Sequence, residues 1–164
     1  MSFDAYVNFG DIKGESTDKD HKDWVEMLGY YQSVEHPFVE TARAAAGVAR
    51  SGVTHSEFTI KKYLDAASPK LFEACCNGKH LKEVVIDLVR KGTKPVKFLE
   101  IKLQDCVITH VTYDARTTGE PPYPEESIHL NFDKIEFIYT KQKTDGTAGE
   151  SVSGKWDLKL GRAA

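Results

Sequence analysis

Hydrophobic side chains in this sequence return every second residue, in one segment after another. Phe3, Ala5, Val7 and Phe9 share one parity, with Asp4, Tyr6 and Asn8 on the other. Leu99, Ile101 and Leu103 alternate with Phe98, Glu100 and Lys102, and Ile128, Leu130 and Phe132 with Ser127, His129 and Asn131. Ile135, Phe137 and Tyr139 repeat the pattern, and Trp156, Leu158 and Leu160 do so against Lys155, Asp157 and Lys159. A period of two means a strand with one buried and one wet face. Many such strands predict a mainly β fold, an antiparallel barrel of two packed sheets. Further strands are expected at 24–34, 57–62, 83–90 and 107–113, parted by turn chemistry at Gly92, at 114–124 and at Asp145-Gly146.

One short helix interrupts the strands. Ser68-Pro69 reads as an N-cap followed by proline at the first helical position. Leu71, Phe72, Cys75 and Cys76 form an apolar stripe, and Gly78 takes the left-handed position that ends a helix. Lys79 and His80 follow, where positive charge complements the helix end. At about three turns the helix cannot stand alone and must dock on a sheet.

The connection 37–54, PFVETARAAAGVARSGVT, carries neither period. Connections longer than about 12–15 residues without an element of their own are uncommon and are usually functional or disordered. Composition leaves three readings open: a loose loop, a short helical excursion at Thr41–Ala46, or a protruding arm that grips another subunit.

The bulk numbers bound the function. The 164 residues suit a single domain, 1–164, and a net charge of −3 gives no footprint for a phosphate backbone, so nucleic acid is not an expected partner. The N-terminus shows no basic region followed by an apolar run, and no stretch approaches the roughly 20 apolar residues of a membrane span. Three cysteines, two of them adjacent, suggest reduced buried thiols rather than a disulfide framework.

A search for chemistry gives little. Asp18, Asp20, His21 and Asp23 crowd one turn, but the glycine and distal glutamate of a calcium loop are missing: those positions hold Asp23 and Gly29. The pairs His129/Asn131 and His55/Glu57 supply too few ligands for a metal. There is no G-x-S-x-G elbow, no P-loop and no dinucleotide fingerprint. No catalytic residue, metal or cofactor is expected, and the chain is read as a non-enzyme.

Four strings carry a resemblance: DIKGESTDKDHKDWVEML at 11–28, TIKKYLDAASPKLFEACCNGKH at 59–80, FLEIKLQDCVITHV at 98–111 and ESIHLNFDKIEFIYTKQ at 126–142, with WDLK at 156–159. Their most specific parts are K-G-E-S and K-x-x-D-x-x-S-P-x-L. Together they resemble the haemolysin-coregulated protein (Hcp) family, the tube subunit of bacterial type VI secretion. The resemblance implies a β-barrel with a flanking helix and a long protruding loop. It implies hexameric rings that stack into a tube inside a contractile sheath under a spike protein. The tube is assembled in the cytoplasm and leaves without a signal peptide, carrying effector cargo.

On that resemblance the connection becomes an interface arm, with Thr41, Arg43, Gly47, Val48, Arg50 and Gly52 as expected ring-stacking residues. Tyr31 and Ser33, of one parity, are candidate lumen or cargo contacts. Two other functions remain: a carrier or chaperone ring whose main task is to stabilise cargo, and a small β-barrel hydrolase.

Overall fold

The computed structural model describes residues 2–36, 52–92, 94–119 and 123–163. In chain order the elements are β1 (Phe3–Asn8), β2 (Val25–Glu26), β3 (Gly29–Tyr31), β4 (Val34–Glu35), β5 (Thr54–His55), β6 (Phe58–Tyr63), α1 (Ser68–Asn77), β7 (His80–Arg90), β8 (Val96–Asp114), β9 (Glu125–Asn131), β10 (Lys134–Gln142) and β11 (Ala148–Asp157). The expected mainly β architecture with one short helix is present. Strands pair antiparallel in the order β2-β1-β7-β8-β9-β6-β3, with β10 beside β8 and β11 beside β10; β4 and β5 form a small ladder of their own.

The 19-residue β8 organises this sandwich. Leu99–Gln104 pair with β10 on one side, while Val96–Val107 pair with β7 on the other. Beyond Asp105, whose φ is 53°, the same strand turns to pair with β9 through Val107–Asp114. The two segments expected at 98–103 and 107–113 are therefore one bent strand.

The expected strand at 24–34 is broken, because its partners change. Val25 and Glu26 pair with β1, then Met27 N–H donates to Ala5 O and Leu28 N–H to Lys61 O. Gly29–Tyr31 continue along β6. The ladder is left unclosed, with one continuous segment supplying both ends.

The core follows the alternation. Phe58 and Ile60 from β6, Ile128 and Leu130 from β9, Ile101, Leu103 and Ile108 from β8, and Val7 from β1 are all essentially without solvent access. Each such side chain contributes about 1.5–3 kcal/mol relative to an exposed one. Phe3 and Tyr139, expected on the buried parity, are exposed, and three further expectations fail locally. Tyr6, assigned to a wet face, is buried because the loop after β1 covers it. The final strand stops at Asp157, which turns inward and caps Leu160 N–H, leaving Leu160 exposed.

The third failure concerns α1. Its N-cap is Ala67, with Asp65 Oδ1 accepting from Ala67 N–H, while Ser68 points elsewhere. Leu71 and Ala74 are buried but Phe72 and Cys76 face outward. Gly78 takes the left-handed turn at φ 63°, and Lys79 pairs with Asp11 at 2.6 Å.

Candidate assembly surfaces

The connection 37–54 springs from a tied stem. Val34 pairs with His55 and Glu35 with Thr54. Below them Ser33 N–H donates to Ser56 Oγ at 2.8 Å and Ser56 N–H to Ser33 O at 2.9 Å. The Gln32 amide donates to Ser33 O at 2.7 Å and lies 3.4 Å from His55 Nδ1. Of the arm residues Thr41, Arg43, Gly47, Val48 and Arg50 lie outside the described residues; Gly52 is described and exposed.

Tyr31, two-thirds exposed, begins a row that runs across four strands: Tyr31 opposite Thr59, Thr59 opposite His129, and His129 opposite His110. Thr59 Oγ1 lies 3.2 Å from His129 Nδ1, and Glu57 Oε2 lies 3.4 Å from the same nitrogen. Thr109 Oγ1 donates to Glu57 Oε1 at 2.6 Å. This is a polar, hydrogen-bonded face. Ser33 stands apart from it, in the stem.

A third surface is the outer edge of β11. Among the described residues the strand pairs only with β10, and every residue from Glu150 to Lys155 is exposed. Uncovered strand edges of this length recruit other strands unless charges or proline protect them. Here the stretch between Glu150 and Lys155 is Ser-Val-Ser-Gly.

Both diagnostic motifs turn out to be structural locks. In Lys13-Gly14-Glu15-Ser16, a Cβ on Gly14 would stand 2.4 Å from Trp24 O, so only glycine permits the close return of the loop. Ser16 N–H donates to Trp24 O, and Ser16 Oγ accepts from Asp18 N–H. The same loop carries His21, expected in a solvated turn but buried. Its Nδ1 lies 2.8 Å from Asp18 Oδ1 and its Nε2 3.0 Å from Asp87 Oδ2 on β7, while its ring stacks on Tyr6. The His21 hydrogen bond holds the Asp18 carboxyl below the usual carboxylate range.

In the second motif Lys62, Asp65 and Ser68 converge. Lys62 Nζ donates to Tyr63 O at 2.7 Å, to Asp65 Oδ1 at 2.8 Å, and to Glu126 Oε1. Ser68 Oγ donates to Glu126 Oε1 as well, at 2.5 Å. A lysine beside a serine evokes a nucleophile, but Lys62 and Glu126 are sealed from solvent, which suits a lock between α1, β6 and β9 rather than chemistry. Among the described residues, no three His, Cys, Asp or Glu side chains are grouped so as to hold a metal ion.

Residues 6–139 match the family described as type VI secretion system effector, Hcp. The chain belongs to the Hcp family. Protein hcp1 of Pseudomonas aeruginosa PAO1 is 28% identical over 161 residues, 97% of each chain. A solved type six secretion system protein superposes with a TM-score of 0.90 at 23% identity, covering 99% of this chain and 100% of its own. Hcp1 from Salmonella typhimurium superposes with a TM-score of 0.80 at 22% identity over the full length of both chains. Hcp proteins are the tube proteins of type VI secretion, and these structural likenesses extend the same fold to this sequence.

Proposed function

We propose that this Hcp chain is the building block of a type VI secretion tube. Six copies join head to tail into a ring, and rings stack into a conduit that carries effectors out of the producing cell. The observation that carries this reading is the uncovered edge of β11. A ring closed by one repeated contact needs two different patches on each subunit, and an unprotected strand edge supplies one of them. The stem at Ser33 and Ser56 supports the second contact: it gives the connection 37–54 a rigid base from which to reach the next ring. Assembly takes place in the cytoplasm, and the tube leaves through the apparatus itself, with spike and sheath proteins as partners. Native mass spectrometry of the purified chain tests the proposal. A hexamer is the expected species, and a monomer persisting at high concentration overturns it.

A second reading, a ring that chiefly stabilises cargo, draws on the polar row Tyr31–Thr59–His129–His110. Hydrogen-bonding side chains with little fixed charge hold a passenger weakly enough for release. Tyr31→Ala in an otherwise intact ring would lower cargo recovery in a pull-down, and unchanged recovery removes Tyr31 from the contact set.

A further inference from the structure

Two histidines stand opposite each other where β8 runs beside β9. His110 and His129 are register partners, so their side chains rise from the same face of the sheet. Their ring centres are 5.3 Å apart, with the planes at 80°. Two imidazoles on one tetrahedral ion, with metal–nitrogen distances of about 2.0–2.1 Å, have ring centres roughly 5 Å apart. The ladder therefore already sets the spacing that a shared ion requires.

Both rings are within reach of solvent. His110 is exposed and makes no hydrogen bond among the described residues, so its ring is free to turn a nitrogen toward its partner. The His129 side chain is 27% exposed. Its Nδ1 faces Thr59 Oγ1 at 3.2 Å and Glu57 Oε2 at 3.4 Å. A carboxylate only accepts, which favours the ring proton on Nδ1 and leaves Nε2 with its lone pair. Nε2 has no partner among the described residues and is not buried. Thr109 in turn holds Glu57, its hydroxyl donating to Oε1 at 2.6 Å. A carboxylate behind the non-coordinating nitrogen is the usual support of a metal-bound histidine, because it fixes the tautomer and raises the basicity of the other nitrogen.

We propose that His110 and His129 together bind a divalent transition-metal ion of the zinc class, through Nε2 of His129 and one ring nitrogen of His110, with Glu57 as the positioning carboxylate. Imidazole ligands suit Zn²⁺, Cu²⁺ and Ni²⁺, whereas Ca²⁺ and Mg²⁺ require oxygen. Two protein ligands leave the remaining positions to water, so the ion is exchangeable rather than structural. Both histidines lie off the β11 edge, and the site rests neither on ring formation nor on cargo binding by the same row.

Zn²⁺ added to the intact protein in a non-chelating buffer should bind at one ion per chain, as read by isothermal titration calorimetry. His110→Gln, at an exposed position, should reduce binding to that of a lone imidazole, with an unchanged melting transition showing that the fold survives. Glu57→Gln keeps the bond from Thr109 but loses the charge, and should weaken binding roughly tenfold. His80→Gln, at an exposed histidine on β7, should leave binding unchanged. With Cu²⁺ in place of zinc, electron paramagnetic resonance should show two coordinated ring nitrogens in the native chain and one in His110→Gln. Equal Zn²⁺ affinity for the native chain and His110→Gln, or a single coordinated nitrogen in the native chain, overturns the site. Equal affinity for the native chain and Glu57→Gln overturns the positioning role and with it the proposal. A loss in His80→Gln as large as that in His110→Gln places the ion elsewhere and overturns it too.

Discussion

Lys62 and Glu126 stand directly opposite each other in the β6–β9 ladder, on the inward-facing parity where the neighbouring positions are Ile60 and Ile128. Neither is reached by solvent, and Glu126 Oε2 has no hydrogen-bond partner among the described residues. Removing one partner strands the other charge in the core. Lys62→Met or Glu126→Leu alone should each cost about 3–5 kcal/mol in urea unfolding, whereas the double variant should recover much of the loss. Additive losses would show that the two side chains act separately.

Gly14→Ala should strain the loop between β1 and β2. Its Cβ meets Trp24 O, a backbone atom that moves only with the strand that follows. A loss of about 1–3 kcal/mol is expected from such overpacking, together with altered tryptophan fluorescence. Gly29→Ala, where a Cβ meets nothing within 4 Å, is the matched control.

Asp18 makes the same loop sensitive to acid. Its carboxyl titrates below the ordinary value, first because of the His21 hydrogen bond. A depressed carboxylate contributes stability that is fully present above the unfolded pKa, about 4, and is lost as pH falls through the folded value. Asp18→Asn should therefore be less stable than the native chain at neutral pH. The difference should shrink on acidification below about pH 4, as followed by urea titrations across the pH range.

The three cysteines should separate by reactivity. Burial pushes the Cys106 thiol up to about 12, while Cys76 on the outer face of α1 is exposed. The thiolate is the reacting form. At mildly alkaline pH, iodoacetamide should label Cys76 first and reach Cys106 only after unfolding, as read by peptide mass spectrometry.

Deleting Arg43–Arg50 tests the arm. The stem bonds between Ser33 and Ser56 lie outside the deletion and should keep single rings intact. Electron micrographs should show rings without tubes. Tubes of unchanged length would remove the arm from stacking.

The alternation made β9 and β10 legible before any coordinates, because each has one face toward the core and one outside it. The reading weakened where that condition fails. Tyr6 is covered by a loop whose path depends on a glycine and a histidine rather than on periodicity. The segment 24–34 changes partner at Met27 and Leu28, a switch that leaves no mark in hydrophobic order. Ser68-Pro69 carried a genuine start signal, yet the serine hydroxyl bonds to Glu126, 58 residues away. Parity paired Tyr31 with Ser33, but the structure separates them, Tyr31 on β3 and Ser33 in the stem. Long-range partners such as His21 with Asp87 had no local signal, since they join positions far apart in the chain.

The bend at Asp105 has a mechanical consequence. One covalent strand belongs to both layers of the sandwich, so neither layer can slide across the other without tearing the ladders that β8 makes with β7, β9 and β10 at once. Shear between the two packed layers is opposed by this shared strand. Loosening at β8 is therefore shared by both layers.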